Sequence, residues 1–246
     1  MFTVMKREIG SFFKSYRGYA FMAIFIVIFS IFQLIYHGHD VDEINLVKAE
    51  GGYPFYTLEQ TLELLPLAIA AAIPMLTYDI FYEERIGGAG NLLRSLPLSA
   101  KGIFVGKYLA CEILFVIVYA VINLVMWLLG FYRNIEAVKT IISILSYILV
   151  FNALLAINMF VAAVCKRKFV ALGVSYGVCA VLVVLFVVGS KNTGAVAKIC
   201  SFLSVIGSFT PSLYGVLDLT ALTLQITLCG LFAYLAYVYF KRDIIL

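Results

Sequence analysis

The groups best suited to chemistry in this chain open and close one stretch, residues 83–107, EERIGGAGNLLRSLPLSAKGIFVGK. Glu83, Glu84 and Arg85 begin it and Lys107 ends it. Charges placed this way suit docking through charge-assisted hydrogen bonds. Acid–base catalysis needs a further group poised within hydrogen-bond reach of a reacting atom, and no motif here supplies one. The two histidines, His37 and His39, stand beside Asp40 at the start of an acidic segment. They could hold a metal weakly, but a solvated loop is the better reading. No GxxxxGK[ST] phosphate loop, HExxH or GxSxG occurs. The sequence therefore assigns no catalytic residue, nucleotide site or metal site, and no enzymatic activity is expected of this chain by itself.

The setting of the charged stretch explains its use. An apolar run of about twenty residues leads into it from Leu64, and a longer one follows from Tyr108. Such runs cross a bilayer, because about 20 residues at 1.5 Å each cover its roughly 30 Å hydrocarbon core. Of the 246 residues, 63% are hydrophobic and 13% charged, about half the charge of a soluble domain. The chain reads as an all-α integral membrane protein, one permease-like domain over 1–246. Its formal net charge of +4 is scattered beside the apolar runs, which fits membrane topology rather than nucleic-acid binding.

Six spans are predicted near 18–36, 64–82, 108–131, 140–164, 169–189 and 219–240. With the N-terminus inside, thirteen of the 18 lysines and arginines fall on inner segments, Lys166-Arg167-Lys168 among them. This asymmetry predicts a multi-pass protein of the cell membrane with both termini in the cytoplasm. The first span reads as a retained anchor, lacking a clear cleavage site. Before it, Phe2, Met5, Ile9, Phe12, Phe13 and Tyr16 recur at helical spacing among basic residues, predicting an interfacial helix. An acidic outer loop is expected over 37–63. The greasy segment 190–218, broken at Thr210-Pro211, predicts a re-entrant helical pair on the outer side.

Polar residues inside spans are costly and often functional. Asn123, Asn152, Asn158 and Gln225 form the candidate substrate path, although hydrogen bonding between helices is the better reading of them. Asp79 and Glu112 lie nearer the inner face, where they are expected to reach headgroups or basic partners. Pro66 and Pro74 are expected to interrupt the second span. Five cysteines without a CxxC pair read as small buried hydrophobes.

The connector resembles the cytoplasmic loop of type-2 ABC exporter permeases. Glu84-Arg85, Gly88, Leu92-Leu93, Pro97-Leu98-Ser99 and Gly106-Lys107 match the family's pattern in order and spacing. Gly215, Val216, Asp218 and Leu219 occupy its G-V-x-D-L element before the last span. The family's threonine and glutamate in the connector are replaced by Ala89 and Asn91. The resemblance implies a coupling helix seated in a groove of a separate ATP-binding subunit. Glu83, Glu84, Arg85, Gly88, Asn91, Leu92, Leu93, Pro97 and Lys107 are its candidate residues.

The resemblance further implies the membrane subunit of an ABC exporter. It would pair with a second permease, identical or similar, and bind two ATPase subunits that carry the ATP and magnesium. The greasy outer segment favours a peptide-like, lipid-like or hydrophobic cargo moved outward. A non-transporting scaffold or sensor docking an ATPase-like partner is the alternative. An intramembrane enzyme using Glu83-Glu84 and the histidines is disfavoured, since those groups would face opposite sides of the membrane.

Overall fold

The computed structural model describes residues 2–39, 65–82, 99–128, 137–191, 200, 204–207, 210–213, 216 and 218–245. Every regular element among them is helical: α1 (Phe2–Lys14), α2 (Tyr16–His39), α3 (Leu65–Thr77), α4 (Ala100–Leu128), α5 (Ala137–Val164), α6 (Lys168–Lys191) and α7 (Leu219–Ile245). A single helical turn, Thr210–Leu213, precedes α7.

The amphipathic pattern at the N-terminus folds as expected. Val4 and Phe12 of α1 are buried, whereas Phe2, Lys6, Arg7 and Lys14 are exposed. Between α1 and the start of α2 the axis turns by 66°. Gly18 permits this corner. A Cβ there would lie 2.4 Å from the Phe12 carbonyl oxygen, a backbone atom that cannot step aside. The helical backbone of α2 continues to His39. This corrects the expected start of the outer loop at 37 and puts both histidines on the last turn of a helix.

The second expected span is shorter than its apolar run. α3 has 13 residues, about 20 Å of helix, and ends three residues after Pro74. Pro66 and Pro74 both lie in α3, and the residues before Leu65 are outside the described ones. Pro74 has no N–H to offer the Ala70 carbonyl one turn back, so the ladder lacks that bond. Past it Tyr78 N–H still reaches Pro74 O at 3.1 Å, and the chain then tightens into turns, with Ile80 N–H donating to Thr77 O at 3.2 Å and Tyr82 N–H to Asp79 O at 2.9 Å.

Among the described residues four helical stretches are individually long and apolar enough to cross a membrane: Ala100–Leu124, Ile141–Val164, Lys168–Gly189 and Leu219–Arg242. A fifth is reached by taking α1 and α2 as one bent pair. At the second expected span the described helix, Leu65–Thr77, is apolar but shorter. Of segment 190–218 the described part includes a turn at Ser204–Gly207 and the turn Thr210–Leu213; the remainder of the expected re-entrant pair lies outside the described residues.

α5 is the centre of the molecule. It packs along α7 and also meets α3, α6 and the Thr210–Leu213 turn. Of its apolar window 72% is buried, against 17% for α6 and 11% for α7. Phe115 of α4 stacks on Phe151 of α5 at 3.9 Å, and Phe25 of α2 meets Phe115 edge-on at 6.3 Å. Lipid tails are as apolar as these side chains, so close packing rather than exclusion of water holds such helices together. The outward rows of α6 and α7, including Val181, Val184, Ile226 and Leu231, are exposed apolar surface of the kind a bilayer solvates.

Candidate functional site

The two stems of the charged connector, Tyr82 and Ser99, come to one end of the bundle, and three other segments join them there. Lys168 of the basic triplet lies over the Tyr82 ring at 5.7 Å. Phe81 packs on Phe240, near the end of α7, at 4.8 Å. Phe104 of α4 faces Phe81, Tyr237 and Phe240, each within 6.1 Å between ring centres. The rings form one aromatic layer beneath the connector. Segments expected to share a membrane face on charge grounds are thus gathered by contact.

Lys107 is the most constrained residue of this end. It is 3% exposed. Its ammonium donates to the Ile80 carbonyl oxygen at 2.7 Å and lies 3.5 Å from Glu8 of α1. The chain dictates this local arrangement. The helix ladder gives way to turns after Thr77, and a lysine one helix away reaches the turn beyond it. A buried ammonium needs several acceptors, and a carbonyl plus a carboxylate supply two. Glu8 also accepts from Arg7 at 2.7 Å. One cation therefore ties together the stem before the connector, the helix after it and the N-terminal helix.

The second stem is capped. Ser99 Oγ accepts the Gly102 N–H at 3.2 Å, and its carbonyl accepts the Ile103 N–H at 3.2 Å. Ser99 is thus the N-cap of α4, which gives the Pro97-Leu98-Ser99 motif a structural part to play. The signal for it, a serine just ahead of a long helix, is present in the sequence. Glu83, Glu84, Arg85, Gly88, Asn91, Leu92, Leu93 and Pro97 lie outside the described residues. Of the candidate coupling residues, Lys107 is the one whose surroundings are described.

The path candidates do not converge. Asn123 donates to Tyr119 O, one turn back on its own helix, at 2.7 Å. Asn158 bonds Leu154 O at 2.9 Å and meets Cys179 Sγ of α6 at 3.5 Å. Asn152 donates to Ile148 O and to Glu112 Oε1 of α4, both at 2.9 Å. Six residues separate Asn152 from Asn158, which puts them on different faces of α5. Gln225 of α7 is buried near the opposite end of the bundle.

Around Asn152 a polar group that periodicity alone does not reveal comes together. Tyr108 O–H reaches Asn152 Oδ1 at 3.0 Å and lies 3.4 Å from Cys229 Sγ of α7. Glu112 was expected to meet a basic group or the headgroups. Among the described residues its partner is the Asn152 amide, and Glu112 Oε2 is buried with no hydrogen bond. Tyr108 and Glu112 share one face at i and i+4, but their spacing does not say which helix will stand opposite.

At the other end, Asp218 Oδ1 accepts the Thr220 N–H at 2.9 Å and its carbonyl accepts the Leu222 N–H at 3.0 Å. It caps α7. Ser143 Oγ donates to Ser212 O at 3.2 Å, fastening the Thr210–Leu213 turn to α5. Asp218, Ser146, Ser212 and Gln225 share the lining of a small niche here with Pro211 and Val216. Among the described residues no cluster of His, Cys, Asp or Glu could hold a metal, and none of the five cysteines is in a disulfide.

Comparison with known families bears on the whole arrangement. The model of the family described as ABC-2 family transporter protein matches residues 53–240. That interval takes in α3 to α7 and the connector. No curated protein matches the chain.

Proposed function

The chain belongs to the ABC-2 transporter family, and from that premise we propose that it is the permease subunit of an ABC exporter. The connector 83–98 is the surface offered to a separate ATPase subunit, which binds ATP and magnesium. A second permease, identical or similar, completes the path, and the assembly carries two ATPase subunits. The cargo is peptide-like, lipid-like or otherwise hydrophobic and moves outward. The connector end of the bundle faces the cytoplasm of a cell-membrane protein, with both termini on that side.

The observation that supports this best is mechanical. Both connector stems rest on one ring layer shared with α7, and Lys107 fastens them to each other. A push on the connector therefore has stiff elements to act on. Leu92 and Leu93 give the connector an apolar side to seat in a groove, and Glu83, Glu84 and Arg85 keep its entrance in water. The apolar composition of segment 190–218 and the lack of a row of charges across the spans favour a greasy cargo over a bare ion.

The test is reconstitution. Proteoliposomes holding the permease and its co-purified ATPase should move a labelled lipid or short hydrophobic peptide when ATP is present. The pair of substitutions Glu84→Ala and Arg85→Ala should abolish both capture of the ATPase and movement, with insertion intact. Unchanged capture and movement in that variant would refute the reading.

A further inference from the structure

The N-terminal helix lies outside the matched interval 53–240, yet it is bonded into the connector's base. α1 packs on α4 more extensively than on α2, its neighbour in sequence. The Glu8 side chain is 13% exposed and that of Lys107 4%. Their 3.5 Å pairing is therefore sheltered from water, where an ion pair is little screened and costly to separate. The same ammonium holds Ile80 O at 2.7 Å. Gly18 allows α1 to turn sharply away from α2, so that α1 can track α4 rather than the first apolar helix.

We propose that Glu8 and Lys107 are positioning residues that make the N-terminal helix a moving part of the coupling unit. This rests on the exporter reading and adds a third element to it: α1, the two connector stems and the start of α4 shift as one body. The exposed side of α1 carries Lys6, Arg7 and Lys14 beside Phe2 and Phe13. Such a face grips the headgroup layer through charge and rings together, giving the unit a bearing on the membrane surface. Lys107 thereby acts from inside the permease on how the connector is presented, without having to touch the ATPase.

Two measurements test this. Spin labels at Lys14→Cys and Lys101→Cys, both exposed positions, report the distance between α1 and α4 in nanodiscs. In the parent the distribution should be narrow. Glu8→Gln and Lys107→Met should each broaden it, and the double variant should be no broader than the wider single one, because both act through one bond. In the second measurement each variant should capture the co-purified ATPase roughly tenfold more weakly, the equivalent of one charged hydrogen bond. A Glu8→Gln variant that keeps the narrow distribution, or that broadens it with full ATPase capture, overturns the proposal. Failure of the exporter reading looks different: Glu84→Ala with Arg85→Ala would leave capture unchanged whatever stands at position 8, and both proposals would fall.

Discussion

The Lys107 ammonium lies 2.7 Å from the carbonyl oxygen of Ile80, twenty-seven residues earlier in the chain. That carbonyl belongs to the turns that follow α3, where the i→i−4 ladder gives way to tighter bonds. The lysine thus serves a backbone acceptor that lies past the helix end.

Pro74→Ala restores the missing N–H, which can then donate to the Ala70 carbonyl one turn back. Hydrogen exchange of the amides at 75–77 should slow, while the turns that follow, and the bond of Lys107 to Ile80, stay as they are. Unchanged exchange would mean that packing, and not the missing bond, sets the stability of this turn.

Asn152→Ala removes the one donor that Glu112 has among the described residues and leaves its buried carboxyl without that partner. Stability should fall by about 1–3 kcal/mol, read as a lower melting temperature in detergent. Replacing both Asn152 and Glu112 by leucine should cost less than the single change, because no polar atom is then stranded. If the double variant melts lower than the single one, the pair contributes net stability.

Asp218→Ala uncaps α7 and should cost about 1 kcal/mol, whereas Asp218→Asn, which keeps an acceptor, should cost only a fraction of that. Thermal unfolding measured by circular dichroism discriminates the two. Equal losses would show that the carboxylate acts through charge and not through its bond to Thr220.

Gly18→Ala sets a methyl group against the Phe12 carbonyl. The corner must open, and overpacking of this kind costs about 1–3 kcal/mol. Limited proteolysis should cut between α1 and α2 faster than in the parent. An unaltered digestion rate would contradict a tight corner.

Cys165 comes just after α5 at the end bearing the basic triplet, and Cys200 precedes the turn at the opposite end; neither is fully buried. An impermeant maleimide should label them from opposite sides of the membrane, with Cys165 reached from the cytoplasm. Labelling of both from one side would refute the arrangement.

Much of this was legible in the sequence, because lipid imposes simple rules. Long apolar runs placed α5 and α6 within about three residues, whereas α4 begins at Ala100, inside the connector as read from sequence, and α7 runs on to Ile245; the spacing of Phe2 through Phe12 foretold α1. Basic residues marked the segments that meet at one end, as Lys168 and Tyr82 do. What escaped depends on contacts between distant helices. Tyr108 and Glu112 declare a shared face, but nothing local says that Asn152 and Cys229 will stand opposite. Lys107 read as part of a solvent-facing connector because motif spacing cannot tell a buried ammonium from a solvated one. Ser99 and Asp218 stood out as motif letters, though their common role at helix starts is plain chemistry.

The slab of rings made by Phe81, Phe104, Tyr237 and Phe240 has one more implication. Aromatic rings are rigid plates and compress poorly. On the exporter reading, load taken up at the middle of the polypeptide would be handed sideways to its tail before any hydrocarbon chain yields. The last helix, packed along α5 on one side and open on the other, would then be the lever by which a disturbance below is felt at the far surface.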